Sequence, residues 1–198
     1  MPVTLTPPLK RSDLEGLRAG DPVLISGTIY TARDAAHRRL VELIERGAQL
    51  PVDLAGQVIY YTGPTPSPPG MPTGSAGPTT SSRMDRYTPA LLEASGAKVL
   101  IGKGERSPEV AVSLRQQGAV YLAAVGGAGA LLAEKITAAE PIAWPELGTE
   151  AMFRFEVSGF PAIVVMDLHG GNLYEEGRER YRRLGSGPSS CSRSNNRT

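Results

Sequence analysis

Apolar and polar positions alternate along the chain in short blocks, each about as long as one strand or one short helix. Apolar runs predict strands over residues 23–30, 57–61, 97–101, 119–125, 141–144, 153–157 and 162–167. Apolar residues at helical spacing predict helices over residues 12–20, 31–46, 89–95, 108–117 and 128–136, with another after residue 172. This mixture, without long repeats, predicts a layered α/β domain.

Local signals set the expected limits of these elements. Thr31 opens the second helix, with Asp34 three residues later as a capping-box variant, and Gly47 ends it. Residues 62–78 hold six prolines and four glycines, which predicts a long shaped loop. From residue 185 onward the sequence has low complexity, so we expect one domain over residues 1–184 and a disordered tail over 185–198.

Charge narrows the class of partner. The 198 residues carry 21 basic and 20 acidic side chains, a formal net charge of +1. No broad positive field exists for nucleic acid, which we therefore do not expect as a partner. No apolar run approaches the roughly 18 residues that a membrane span needs, and the N-terminus has no export signal. We expect a cytoplasmic protein without membrane contact.

Metal-ligating residues are scarce. The only cysteine is Cys191, in the polar tail, and the only histidines are His37 and His169. Neither a cysteine-rich nor a multi-histidine metal site can be built from this chain alone. The sequence therefore predicts no metal site of its own, and any metal must come from elsewhere.

The turn over residues 79–83 (TTSSR) is the strongest candidate for chemistry. Hydroxyl groups beside helix-start N–H groups suit a carboxylate or phosphate, and the guanidinium of Arg83 can grip a carboxylate at two points. A helix cap with a solvated arginine explains the same pattern equally well. Lys103, between two glycines after a predicted strand, is either a ligand-binding group or a plain turn lysine.

Arg33 and His37 share a helix face with Leu40 and Ile44, so both polar residues extend the buried stripe. A cation near a helix start is disfavoured by a few tenths of a kcal/mol, so something should offset Arg33. Three interpretations of Arg33 remain open: it binds an anionic ligand, it is an ordinary surface arginine, or it forms an ion pair with Asp34 or a distant carboxylate. His37 alone is more typical of a structural histidine.

A glycine-rich stretch over residues 125–132 (VGGAGALL) follows a predicted strand and opens a helix, as a dinucleotide-binding loop does. A bulky leucine replaces the third glycine, and no acidic strand end follows about 20 residues later. We interpret these glycines as allowing close packing of helix against sheet.

Five segments together resemble one family, the β subunit of the iron-sulfur hydro-lyases, which includes class I fumarases and L-tartrate dehydratase. The segments cover residues 26–37 (SGTIYTARDAAH), 60–64 (YYTGP), 77–85 (GPTTSSRMD), 102–104 (GKG) and 160–164 (FPAIV). In this family the unit is a separate β chain or the C-terminal domain of a longer one. The resemblance spans roughly residues 10–183.

The resemblance implies a swivelling β/β/α domain with a mixed sheet, which closes over a 4Fe-4S cluster bound by a Cys-containing α subunit. It implies that Arg33, Arg83 and Lys103 bind substrate carboxylates and that Thr79 lies beside the reacting carbon, as a proton-transfer residue. On this basis Thr79, Arg83 and Lys103 are the catalytic candidates. Three further candidates lie in or beside the same motifs: His37, Ser81 and Asp85.

The resulting hypothesis is a β subunit of a heteromeric class I-type fumarate hydratase, assembled as α2β2 and acting on a small dicarboxylate. The alternative in the same class is an L-tartrate dehydratase β subunit. In another class, the chain is a non-catalytic anion-binding subunit or a unit used only for assembly.

Overall fold

The computed structural model describes residues 1–182, so the predicted tail lies outside the described residues. Its strands are β1 (Val3–Leu5), β2 (Pro22–Thr31), β3 (Val58–Tyr60), β4 (Val99–Gly102), β5 (Val120–Ala123), β6 (Ile136–Ala143) and β7 (Met152–Met166). Its helices are α1 (Arg11–Leu14), α2 (Asp34–Glu45), α3 (Thr88–Ser95), α4 (Pro108–Gln117), α5 (Gly129–Ala133) and α6 (Leu173–Tyr181), and 3-10 turns cover Ser81–Met84 and Pro145–Glu150.

All seven strands form one mixed sheet in the order β1-β2-β3-β4-β5-β7-β6, with β7 pairing with β2 as well. Strands β1 to β5 are mutually parallel, whereas β7 is antiparallel to β2, β5 and β6. The pairings therefore close a circuit that runs β2-β3-β4-β5-β7-β2. This mixed α/β architecture confirms the predicted fold class.

Two apolar cores explain the layers, because successive strand residues point to opposite faces. Val58 and Tyr60 of β3 belong to a core enclosed between the strands, together with Phe155 and Phe160 of β7. The alternate residues join a second core, in which helices α2, α3 and α4 cover the outer face of the sheet; they include Ile59, Leu100 and Tyr121. One core is thus enclosed by strands and the other lies between the sheet and the helices, which fits the β/β/α layering that the resemblance implied.

Local sequence signals set several limits correctly. Helix α4 occupies the predicted residues, with the Ser107 hydroxyl accepting from the Val110 N–H and Gly118 ending the helix at φ 61°. Helix α3 begins one residue before its prediction and ends at Gly96, also in the left-handed region. These ends are local, so the sequence alone specifies them.

Other limits were predicted wrongly because tertiary pairing overrides local pattern. Thr31 is the last residue of β2, where its hydroxyl accepts from the Phe153 N–H at 3.0 Å, and α2 begins only at Asp34. The strands predicted at 153–157 and 162–167 are one strand, β7, which turns through Gly159 at φ 61°. Strand β1 was missed because its three residues are too short to show a pattern.

The predicted helix over residues 128–136 ends at Ala133, and Ile136 opens strand β6. Strand β6 therefore begins five residues before the predicted strand at 141–144, because it pairs along β7. Helix α1 has only four residues and overlaps the helix predicted over 12–20 in its first three positions. The expectation that residues 1–184 form a single domain stays a prediction.

Candidate functional site

The carboxyl ends of three adjacent parallel strands bring the candidate residues to one edge of the sheet. Strand β2 pairs with β3 up to Thr31 and Tyr60, and β3 pairs with β4 at Tyr60 and Ile101. Arg33 follows the end of β2, and Lys103 follows the end of β4. Parallel α/β sheets bind ligands beyond this edge.

Backbone hydrogen bonds insert the TTSSR turn between these strand ends. The Thr79 N–H donates to the Tyr61 carbonyl at 2.7 Å, and the Lys103 N–H donates to the Thr79 carbonyl at 3.3 Å. The Ser81 N–H then donates to the Lys103 carbonyl at 2.8 Å. Thr79 and Lys103 are therefore neighbours although 24 residues separate them, and Lys103 is exposed while Thr79 is half-buried.

Gly102 makes this close approach possible. A Cβ atom at this position would lie 1.9 Å from the Ser81 hydroxyl oxygen and 3.0 Å from the Tyr61 ring. Ser81 is buried and its hydroxyl accepts from the Tyr121 hydroxyl at 2.8 Å, while burial raises the pKa of Tyr121 and keeps it protonated. Ser81 therefore lies beneath the turn, where it packs the turn against the strands.

The two candidate arginines form one chain of ion pairs with two carboxylates. The Arg83 Nε donates to Asp34 Oδ1 at 2.8 Å, and its Nη2 donates to Asp34 Oδ2. The Arg33 Nη2 donates to Glu150 Oε1 at 2.8 Å, and its Nε lies 3.7 Å from Asp34 Oδ2. The ion pair with a distant carboxylate, one interpretation that the sequence allowed for Arg33, is therefore present.

Glu150 also answers the question of what offsets a cation at the start of α2. Its Oε2 accepts from the Ala35 N–H at 2.9 Å, so the carboxylate lies against the positive end of the helix. Arg33 directly precedes the first residue of α2, whereas the predicted start at Thr31 would have placed it in the first turn. Glycine at position 63 leaves room for Arg33, since a Cβ there would lie 2.6 Å from its Nη1.

The charges around Asp34 keep it ionised. Partial burial acts to raise the pKa of Asp34, but its hydrogen bonds with Arg83 and the charges of Arg83 and Arg33 outweigh burial and lower that pKa. With Glu150, it offsets two of the three cations. Lys103 has no acidic partner among residues 1–182, so its positive charge is not offset there.

The helix-cap interpretation of the TTSSR turn is not what the structure shows. Thr80 precedes the 3-10 turn, but its side chain makes no capping hydrogen bond. Arg83 is not simply solvated, because it donates to Asp34. This leaves the exposed Thr80 hydroxyl and the half-buried Thr79 hydroxyl free of a capping role. Anion binding by the turn stays a prediction.

His37 is fully buried, as the helical spacing predicted, below Arg33. Its Nδ1 lies 3.2 Å from the Arg33 carbonyl oxygen, and its ring meets the Tyr61 ring edge-on at 5.0 Å between centroids. Burial lowers the pKa of His37 to about 4, so the ring is neutral near pH 7. These contacts fit the structural interpretation of His37.

Asp85 supports the turn from below through a residue that the sequence did not single out, Arg106. The Arg106 Nε donates to Asp85 Oδ1 at 2.6 Å, and the Ser107 N–H donates to Asp85 Oδ2 at 2.7 Å. The Arg106 side chain has no exposed surface, and its guanidinium carbon lies 5.3 Å and 5.0 Å from the Tyr61 and Tyr121 ring centroids. Asp85 is thus tied into the layer beneath the site.

The glycine-rich stretch over residues 125–132 lies beside the candidate site, and its glycines pack against a loop and a lysine stem, whereas we expected helix-on-sheet packing. A Cβ at Gly126 would lie 3.6 Å from Lys103 Cδ, so this loop lies beside the lysine stem. At Gly129 a Cβ would lie 2.3 Å from the Ser75 hydroxyl and 3.0 Å from the Gly77 nitrogen. The close approach is therefore between α5 and the Pro/Gly loop that leads into the TTSSR turn.

Sequence reasoning missed Glu150, Arg106 and Gly63. Glu150 contacts Arg33 across 117 positions of sequence, so no local pattern could reveal it. Gly63 stands in the YYTGP motif, and a glycine directly after a buried strand is the one signal that could have marked it. Arg106 lies just before the helix-capping Ser107, where an arginine is ordinarily solvated.

The chain's residues do not fit the iron-sulfur cluster that the family implies. Residues 1–182 contain no grouping of three or more histidine, cysteine or acidic side chains that could hold a metal ion. The whole sequence has one cysteine, whereas such clusters are held by several thiolates. That the partner holds the cluster stays a prediction. Within the same residues, no helix is both long and apolar enough to cross a bilayer.

Known proteins place the chain in a family. A family model described as "Fumarase C-terminus" matches residues 1–177. The anaerobic class I fumarate hydratase of Escherichia coli K12 is 41% identical over 153 residues, which make up 77% of this chain and 28% of that protein. Fumarate hydratase 2 of Leishmania major is 38% identical over 167 residues, 84% of this chain and 29% of that protein.

A third relative has a length close to that of this chain. The "Putative L(+)-tartrate dehydratase subunit beta" of Methanocaldococcus jannaschii is 38% identical over 173 residues, 85% of this chain and 89% of that protein. By contrast, the chain spans less than a third of the two fumarate hydratases. These matches confirm the resemblance that the five segments indicated: the chain belongs to the fumarase C-terminus family.

Proposed function

We propose that this chain is the β subunit of a heteromeric class I-type fumarate hydratase, which interconverts fumarate and (S)-malate. The observation that carries the proposal is the meeting of Arg33, Arg83 and Lys103 with Thr79 at one edge of the sheet. Two of these cations are arginines, which suit the planar carboxylates of a small dicarboxylate. The names of the relatives support the reaction class.

The proposed roles follow from the chemistry of water elimination. Removing a proton next to a carboxylate builds negative charge on that carboxylate, and fixed cations stabilise such charge more in the transition state than in the substrate. Arg33, Arg83 and Lys103 would hold the two carboxylates and take up this charge. Thr79, whose carbonyl accepts one backbone hydrogen bond from Lys103, would lie at the carbon that loses the proton.

Thr79 is a demanding choice of proton-transfer residue. An alkoxide is costly near neutral pH unless cations and hydrogen bonds lower the pKa of the hydroxyl. Lys103 lies next to the turn but is paired with Thr80, so its backbone position does not by itself bring its ammonium group to the Thr79 hydroxyl. We propose that Thr79 is essential to the reaction.

The proposal includes a partner, because one cysteine cannot hold the cluster that the family implies. A Cys-containing α subunit would bind the 4Fe-4S cluster and supply the electrophile for the departing hydroxide. The assembly would be α2β2 and cytoplasmic, and the isolated β chain would be inactive.

Tartrate dehydratase is the second candidate, because the relative named as its β subunit is matched over 89% of its own length. Both enzymes would use the same cations on a four-carbon dicarboxylate. A non-catalytic anion-binding or assembly subunit is the alternative from another class. A neighbouring gene for a Cys-containing α subunit would favour the enzyme over it.

The test is anaerobic reconstitution of the full chain with that α subunit and the cluster, followed by turnover of malate, fumarate and tartrate. We expect malate and fumarate to interconvert; faster tartrate turnover would favour the second candidate, and no turnover of any of them would reject the enzyme. Arg83→Met should lower kcat/KM at least 100-fold with the complex intact by gel filtration. Arg38→Met, which changes an exposed arginine of α2, is the matched control.

A further inference from the structure

Acidic side chains are unexpected in a site for a dianion, yet two contact its arginines. Arg83 and Asp34 form a fork, in which Nε and Nη2 donate to the two oxygens of one carboxylate. This fork uses one edge of the planar guanidinium. The other edge, between Nη1 and Nη2, stays available on a side chain that is 48% exposed.

Arg33 is held in a comparable way by Glu150. Its Nη2 donates to Glu150 Oε1, and the other carboxylate oxygen accepts from the Ala35 N–H, so Glu150 is itself fixed at the start of α2. The Arg33 Nη1 lies close to Gly63, where a Cβ would come within 2.6 Å of that atom. The Arg33 Nε is buried and has no hydrogen-bond partner among residues 1–182.

These contacts do not follow from folding stability. Arg83 and Asp34 are 48% and 31% exposed, and partly exposed ion pairs contribute little to stability. Three cations brought together without acids would also repel one another and point into solvent in many rotamers. A bidentate carboxylate reduces both problems, because it offsets charge and fixes the plane of the guanidinium.

We infer that Asp34 and Glu150 are positioning residues, which hold Arg83 and Arg33, and that Asp34 leaves the Nη1/Nη2 edge of Arg83 to a substrate carboxylate. The inference deepens the proposed function and rests on it for the identity of the substrate. Asp34 matters most, because it contacts Arg83 at two points and also lies near Arg33. Its effect on the reaction passes through Arg83.

The geometric half of the inference is testable on the full chain alone. NMR of the arginine Nε–H groups should show several protected signals, including that of the buried Arg106, and the one that disappears in Arg83→Lys belongs to Arg83. Asp34→Asn, which retains one acceptor oxygen and loses the charge, should speed its exchange about tenfold or more. Glu42→Gln, another acid of α2 in an exposed ion pair, should leave this signal unchanged.

The functional half uses a double-mutant cycle in the reconstituted complex. Asp34→Asn should lower kcat/KM for malate about tenfold, mainly through KM, because Arg83 is no longer held for binding. In the Arg83→Lys background the same change should alter kcat/KM less than about twofold, since a lysine offers no plane to fix. Glu42→Gln should match the unmodified complex.

Each possible result either supports the positioning role of Asp34 or overturns it. Equal losses from Asp34→Asn in both backgrounds would show an effect independent of Arg83 and overturn the inference. A lower KM in Asp34→Asn would make Asp34 a competitor of the substrate and overturn it as well. An unchanged Arg83 Nε–H signal rejects the grip itself. If the unmodified complex turns over no substrate, the proposed function fails, while the NMR result still judges whether Asp34 positions Arg83.

Discussion

The buried Arg106 gives the sharpest stability prediction. Its guanidinium lies between the Tyr61 and Tyr121 rings, directly under the TTSSR turn, and its side chain has no exposed surface. Replacing it in Arg106→Met keeps a flexible apolar stem of similar length and removes the charge. Asp85, 14% exposed, then loses its cation.

The contacts allow the cost to be worked out. Two charge-assisted hydrogen bonds disappear, from Nε to Asp85 at 2.6 Å and from Nη2 to Thr88 Oγ1 at 2.7 Å, each of which contributes about 1.5–3 kcal/mol. Removing Nη1, which is buried without a partner among the described residues, returns about 1–3 kcal/mol. The Asp85 carboxylate, left charged without its cation, adds a further penalty, so we expect a net loss of about 3–5 kcal/mol, the usual cost of removing one partner of a buried ion pair.

The assay is urea denaturation of the full chain at pH 7, followed by circular dichroism. Arg106→Met should lower the free energy of unfolding by about 3–5 kcal/mol. Arg38→Met removes an exposed arginine and should change it by no more than about 0.5 kcal/mol. Arg106→Lys, which keeps the charge but cannot reach both oxygen partners, should fall between them.

A loss below about 1 kcal/mol in Arg106→Met would refute this reasoning. It would mean that the Arg106 ion pair and hydrogen bonds do no more than offset the cost of burying the guanidinium. Asp85→Asn provides a second check. Added to Arg106→Met, it should restore part of the lost free energy by removing the stranded carboxylate. Additive losses would mean that the two side chains act independently.

Three other predictions concern His37, Gly102 and Gly63. Burial lowers the pKa of His37 from 6.5 in the unfolded chain to about 4 in the folded chain. Between these values the unfolded chain binds the proton and the folded chain does not, so the free energy of unfolding falls as the pH drops from 6.5 towards 4. His37→Gln should remove a loss of about 2.5 kcal/mol between pH 7 and 4.5 in urea titrations. Gly102→Ala forces a Cβ against the Ser81 hydroxyl and should cost about 1–3 kcal/mol in the same assay. Gly63→Ala forces a Cβ against the Arg33 guanidinium and the Thr149 backbone carbonyl, so it should displace Arg33, lower kcat/KM of the reconstituted complex at least tenfold, and cost about 1–3 kcal/mol of stability.

Specific results would contradict these three. An unchanged pH dependence in His37→Gln would mean that another group titrates, and His169→Gln tests the remaining histidine. Wild-type stability in Gly102→Ala would show that the TTSSR turn does not lie against β4. Unchanged kinetics in Gly63→Ala would remove Arg33 from the list of binding residues.

Much of the fold was predictable because its signals are local. Ser107 and Gly118 fix the two ends of α4, and β3, β4 and β5 lie in continuous apolar runs, whereas a threonine interrupts β1. The long strand β7 was not, because Gly159 reads as a break until pairing with β2 continues on both of its sides. The late start of α2 likewise depends on the pairing of Thr31 with β3.

The candidate site divides in the same way. Arg33, Arg83, Lys103 and Thr79 stand in motifs that could be found in the sequence, and their meeting at one sheet edge follows from parallel strand order. The sequence offered Asp34 as one partner of Arg33, and that pair is present, but it did not indicate that Asp34 also holds Arg83 or that Glu150 is the distant partner of Arg33. Asp34 contacts Arg83 across 49 positions, and nothing near Asp34 in the sequence distinguishes it from a helix-capping residue.

The sequence by itself determined the family, the α/β order and the identity of the cations, because each is written in short segments whose neighbours along the chain are also their neighbours in space. Only the tertiary structure decided that Asp34 holds Arg83 and Glu150 holds Arg33, that Ser81 is buried, and that Arg106 lies beneath the turn. These are contacts between distant segments. They depend on strand order and packing, which no local pattern records.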